Sequence, residues 1–85
     1  MNMQLEQVIQ EIRDERLRQD VQWGGPEHDD AQPMSYFLES IDQKLCRQVV
    51  LALLEDERED ARRRLVQMAA LAIAAIESFD RRTPE

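Results

Sequence analysis

The sequence is poor in the residues that break, staple or flatten a chain. It has two glycines and three prolines, and all five lie between Gly24 and Pro33 or at Pro84. Nothing elsewhere interrupts a helix. Cys46 is the only cysteine, which excludes an internal disulfide and reads as a small apolar residue in a helical pattern. Aromatic residues make up 5% of the chain, and few β-branched residues are present to build strands. The most apolar run, Met68 to Ile76, is about half the length of a membrane span. Met1 to Gln10 lacks the basic region and apolar core of a signal peptide, so a cytoplasmic location is expected. No nucleophile–base pair, phosphate-cradling glycine loop or zinc spacing occurs.

What is present is a globular balance: 85 residues, 42% hydrophobic and 34% charged, with a net charge of −7. That length suits one domain, 1–85. An acidic balance without a basic face argues against direct nucleic-acid binding. Acids and bases alternate in Glu11-Ile-Arg-Asp-Glu-Arg16 and from Glu55 to Arg64. Such patterns form solvated helix faces with pairs three or four residues apart. The acidic excess would also suit a basic protein partner.

The periodicity predicts an all-α chain of three helices, about 3–20, 34–54 and 57–81. On the first, Leu5, Val8, Ile9 and Ile12 form one apolar face. Continued for a turn and a half, that face carries Glu15, Arg16 and Gln19. A core stripe that turns polar either projects past the core or lines a site. The second helix carries Met34, Phe37, Leu38, Ile41, Leu45, Val49 and Ala52 on one side. The third carries Leu65, Met68, Ala69, Ala72, Ile76 and Phe79, widened by Val66 and Ile73, with Leu71 facing another way. A helix apolar on several sides belongs at the centre of a bundle. No glycine or proline separates the second and third helices. Their stripes point roughly 130° apart at 3.6 residues per turn, which predicts a turn between Leu54 and Asp60.

The segment 21–33 reads as an irregular loop, because Gly24 and Gly25 permit positive φ and Pro26 disfavours continuing a helix. A connection of this length is usually functional or disordered. Trp23 argues for order. The candidate binding residues are Glu15, Arg16, Gln19, Trp23, His28, Asp29 and Asp30. In one reading they form a polar pocket that stacks a ring on Trp23 and holds a phosphate with Arg16. In the other, Glu15 and Arg16 clamp the loop, Trp23 plugs the core edge and Asp29 caps a turn. The polar end of the stripe predicts that Trp23 is mostly buried against the first helix and that Arg16 hydrogen-bonds within 21–30. Adjacent residues rarely converge on one ion, so His28, Asp29 and Asp30 predict no metal site.

Glu15-Arg16-Leu-Arg18-Gln19-Asp20 followed by Trp23-Gly-Gly-Pro-Glu-His-Asp-Asp30, with Arg64-Leu-Val-Gln-Met-Ala-Ala-Leu-Ala-Ile-Ala-Ala-Ile-Glu77-Ser78 near the end, resembles a known family. It is similar to small phage and prophage proteins related to the MazG-like all-α nucleoside triphosphate pyrophosphohydrolases. The resemblance runs from Ile12 to Arg82. It implies a helical fold, dimers or dimers of dimers, and magnesium held by a Glu-x-x-Glu motif on one helix and a Glu-x-x-Asp motif on the next. Those ligand positions fall on Ser40 and Gln43, and on Arg64 and Gln67. All four carboxylates are missing, and one is replaced by a cation.

The expectation is therefore a MazG-like helical protein without catalytic residues, metal ligands or a cofactor. It would act by binding a nucleotide or a protein partner, and would dimerise through apolar residues that three helices cannot cover. The alternatives are an active magnesium-dependent pyrophosphohydrolase and a phage-encoded inhibitor of a host defence complex.

Overall fold

The computed structural model describes residues 3–82. Among them are four helices and no strand: α1, Met3–Trp23; α2, Gly25–Ala31; α3, 34–54; and α4, Arg58–Arg81. The all-helical class is as the periodicity predicts, with one helix more. No helix of the described residues is long and apolar enough to cross a membrane.

The extra helix corrects the reading of 21–33 as an irregular loop. α1 runs on through Trp23 and stops at Gly24, whose φ of 109° is left-handed. The Gly24 N–H still donates to the Asp20 carbonyl at 2.9 Å. Gly25, also at positive φ, then opens α2, with Pro26 in its first turn where a missing N–H costs nothing. The breakers mark the ends of two helices and not a long coil between them.

α3 is one unbroken helical course in three stretches: α-helical Met34–Glu39, π-helical Ser40–Cys46 and α-helical Arg47–Leu54. It ends in the predicted turn by a Schellman motif. Asp56 is left-handed at φ 59°, the Glu57 N–H donates to Ala52 at 2.7 Å, and the Asp56 N–H donates to Leu53 at 3.2 Å. Glycine usually fills that position. Aspartate tolerates it, which is why the stop left no breaker in the sequence.

α4 is central and packs against every other helix. Its first half follows the stripe in part: Met68 packs against a cluster of Val49, Ala52 and Ala61, but Leu65 is exposed. Its second half does not. The buried residues there are Ala70, Ala74 and Ser78, while Ile76 and Phe79 are 60% and 64% exposed. Two residues beyond Ala74, Ile76 sits roughly 200° round the helix. The small-residue side faces inward because it lets α1 and α2 approach closely. On α3, Phe37, Leu45, Val49 and Ala52 are buried as expected, but Leu38 points outward.

Two ion pairs fix α1. Arg62 holds Glu11 with both guanidinium nitrogens, at 2.6 and 2.7 Å, and Arg16 donates to Glu77 at 2.7 Å. The partners advance five residues along α1, about 7.5 Å, but fifteen along α4, about 22 Å. α1 therefore lies across α4 and not alongside it.

Candidate functional site

The stripe of α1 inverts the ordinary gradient of burial. Its apolar half is partly open, with Leu5 and Ile9 exposed and Val8 and Ile12 half-buried. In its polar half the Glu15 and Arg16 side chains are only 13% and 16% exposed. The polar half faces a cavity of about 250 Å³, to which all four helices contribute side chains. α1 supplies Arg16, Arg18, Gln19, Asp20 and Trp23, and α2 supplies His28 and Asp29. α3 supplies Tyr36, Ser40 and Lys44, and α4 supplies Arg64 and Gln67.

Five of the seven predicted residues, Arg16, Gln19, Trp23, His28 and Asp29, meet at this cavity. Glu15 and Asp30 do not line it. Glu15 accepts hydrogen bonds from Arg18 at 2.6 and 2.9 Å. Asp30 is a docking residue: its carboxylate takes the Ser78 hydroxyl at 2.8 Å and Arg81 at 2.9 and 3.0 Å. Hydrogen bonds from Arg81, then Ser78, hold the Asp30 carboxyl below its ordinary pKa. The Asp29 carbonyl accepts from Arg82 at 2.5 Å, which completes the seam between α2 and α4.

Two expectations for the segment are overturned. Trp23 is not buried against α1; it is 52% exposed at the cavity mouth. As the last residue of α1, it has no following coil to fold over it. Arg16 does not bond into 21–30. It donates to Asp20 at 3.0 Å and to Glu77 at 2.7 Å. Burial pulls its pKa down, and the bonds to Glu77 and Asp20 more than reverse this. Because α1 crosses α4, Glu77 is within its reach.

The rings form one wall. Trp23 stacks on His28 with centroids 6.1 Å apart, and His28 meets the edge of Tyr36 at 6.1 Å. The cations Lys44 and Arg64 come from α3 and α4, which sequence reading did not join to this segment. The signal for α3 was a spacing of four: Tyr36, Ser40 and Lys44 all reach the cavity. Among unmet groups, the Gln19 side-chain oxygen and Arg64 Nε are buried without a hydrogen-bond partner.

Three of the four positions where the resemblance calls for carboxylates, Ser40, Arg64 and Gln67, line this cavity; Gln43 does not, and is exposed. These residues do not fit a magnesium ion, which needs several oxygen ligands and is repelled by a guanidinium. Among the described residues no three His, Cys, Asp or Glu side chains are placed to share a metal. Of the two carboxylates at the cavity, Asp20 is taken by Arg16 and Asp29 sits beside His28 at 3.5 Å. No family model, curated protein or solved structure matches this chain.

Proposed function

We propose that the chain is a MazG-like helical protein that binds a nucleotide in the α1–α4 cavity and does not hydrolyse it. The observation that carries this reading is that one cavity is lined both by clustered rings, Trp23, His28 and Tyr36, and by the cations Lys44 and Arg64. A base stacks on rings and a phosphate pairs with guanidinium and ammonium groups. The unmet Gln19 oxygen offers an acceptor for an exocyclic amine or a sugar hydroxyl. The residues at the ligand positions, Ser40, Gln43, Arg64 and Gln67, support binding without turnover. A cytoplasmic location, host cytoplasm for a phage-encoded chain, goes with this reading.

The test is incubation with canonical and modified nucleoside triphosphates plus magnesium or manganese, alongside a binding titration. Binding without turnover is expected. Turnover well above a heat-killed control, abolished by chelator, would overturn the assignment and favour an active pyrophosphohydrolase.

A second reading concerns assembly, and rests on the outer side of α4 and the end of α3. Val50, Leu51, Leu53, Leu54, Leu65, Ile76 and Phe79 are each more than half exposed. Single exposed apolar residues are ordinary, but a group this size marks an interaction surface. Burying each is worth about 1.5–3 kcal/mol, enough together to offset the entropy of association. A two-fold axis would cover them with one self-complementary patch, giving a homodimer. Sedimentation at micromolar concentration tests this. A single monomeric species would reassign the face to a different protein, as an inhibitor of a host complex requires.

A further inference from the structure

We infer that the cavity holds a phosphate monoester directly on Arg64 and Lys44, with no bridging divalent cation, so that its ligand is a nucleoside monophosphate. This rests on the nucleotide reading above and adds the class of nucleotide and the means of holding its charge.

The first ground is which cations are free. Four line the cavity, but Arg16 is committed to Asp20 and Glu77, and Arg18 to Glu15 and Gln22. Arg64 is less committed: its one ion pair is with Asp60, a carboxylate that Arg63 also holds. One of its terminal nitrogens donates to Gln67 at 3.2 Å. Its Nε lies 3.7 Å from Asp60, beyond hydrogen-bond range, and is buried without a hydrogen-bond partner. Lys44 makes no ion pair among the described residues. The Ser40 hydroxyl, also at the cavity, adds a neutral donor.

The second ground is stoichiometry. Lys44, which has no ion pair among the described residues, and Arg64, whose Asp60 is shared with Arg63, suit one monoester phosphate, which carries roughly −1.5 to −2 at neutral pH. A triphosphate tail carries more charge than this pair can neutralise and would need a metal, for which the carboxylates are missing.

The third ground is size. At about 250 Å³, the cavity lies near the lower limit of small-ligand pockets, about 300 Å³. A nucleoside monophosphate suits a cavity of this size better than a nucleotide with an extended triphosphate tail.

The experiment is a titration of the whole chain with AMP, CMP, GMP and UMP in EDTA, repeated with magnesium chloride. Fluorescence of Trp23, the single tryptophan, is one readout and calorimetry the other. At least one monophosphate is expected to bind in EDTA, with no gain from magnesium. Its nucleoside and its triphosphate should each bind at least about tenfold more weakly. Arg64→Gln and Lys44→Gln should each weaken the monophosphate about tenfold, the size of one charge-assisted hydrogen bond. Lys44 is exposed, so Lys44→Gln leaves the fold intact if Arg64→Gln does not. Binding that requires magnesium, or that prefers the triphosphate and ignores both substitutions, would overturn the inference and leave the nucleotide reading standing. No binding by any nucleotide, with or without magnesium, would remove that reading and this inference together.

Discussion

The two sides of the second half of α4 hold opposite kinds of residue in opposite environments. The inward side is small, with Ala70 and Ser78 fully buried and Ala74 nearly so; the outward side carries Ile76 and Phe79, both mostly exposed. If apolar area alone chose the buried side, the order would be reversed. The inward side is chosen by closeness and by polar anchoring. Alanines admit the crossing helix α1, and Ser78 bonds to Asp30 on α2. The larger residues are left for something outside the chain.

Substitutions can break this comparison. The largest effect is expected at Phe37, the largest fully buried side chain among the described residues, in a core that otherwise holds Leu45, Val49 and four alanines. Phe37→Ala should cost about 3–5 kcal/mol by urea unfolding. Ala70→Leu puts a large residue where the close approach of helices depends on a small one, and should cost about 1–3 kcal/mol from overpacking. If it proved neutral, the inward side would not be tightly packed.

Ser78→Ala sharpens the comparison by removing the anchor and keeping the size. It should cost about 1–2 kcal/mol, because the lost hydrogen bond goes to a carboxylate. The same seam gives a pH dependence. The Asp30 carboxyl is held below its ordinary pKa by Arg81 and Ser78, so the unfolded chain takes up this proton first as pH falls. The seam's contribution is full above the ordinary carboxylate value and is lost as pH drops through the depressed one. Asp30→Asn should flatten the acid limb of a stability–pH curve in that window, and an unchanged limb would show that Asp30 contributes no such linkage.

The smallest effect on the single chain is expected on the outward side. Ile76→Ser with Phe79→Ser should leave unfolding free energy within about 0.5 kcal/mol of the parent, as for surface positions, when both are compared as monomers. The same pair should abolish self-association in sedimentation. A large loss of monomer stability would mean these residues are covered within the chain.

The fold was legible where local rules decide it. The helical periods, the helix start after Pro33 and the turn before Asp60 follow from spacing, breakers and stripe phase, whereas Gly25–Ala31 reads as loop and folds as a helix. The site was legible in part. The polar end of the α1 stripe drew attention to Arg16 and Gln19, which both line the cavity, because polar residues at core-facing spacing are a local anomaly. Tyr36, Lys44 and Arg64 carried no such anomaly: each sits in a segment whose polar residues look like ordinary solvated surface. Tyr36, Ser40 and Lys44 share one side of their helix at a spacing of four, but residue types do not announce that this side meets the other three helices.

The sequence by itself determined that this chain is helical, where most of its helices begin and end, and that α4 is apolar on more than one side. Those properties belong to single segments, set by propensity and a period of 3.6. Only the tertiary structure decided which side of α4 faces inward, that α1 crosses it so that Arg16 meets Glu77, and that side chains from four helices enclose one cavity. A helix's period ranks its faces by polarity. Which face is buried depends on what approaches it, and how closely, so it is a property of the packed helices together.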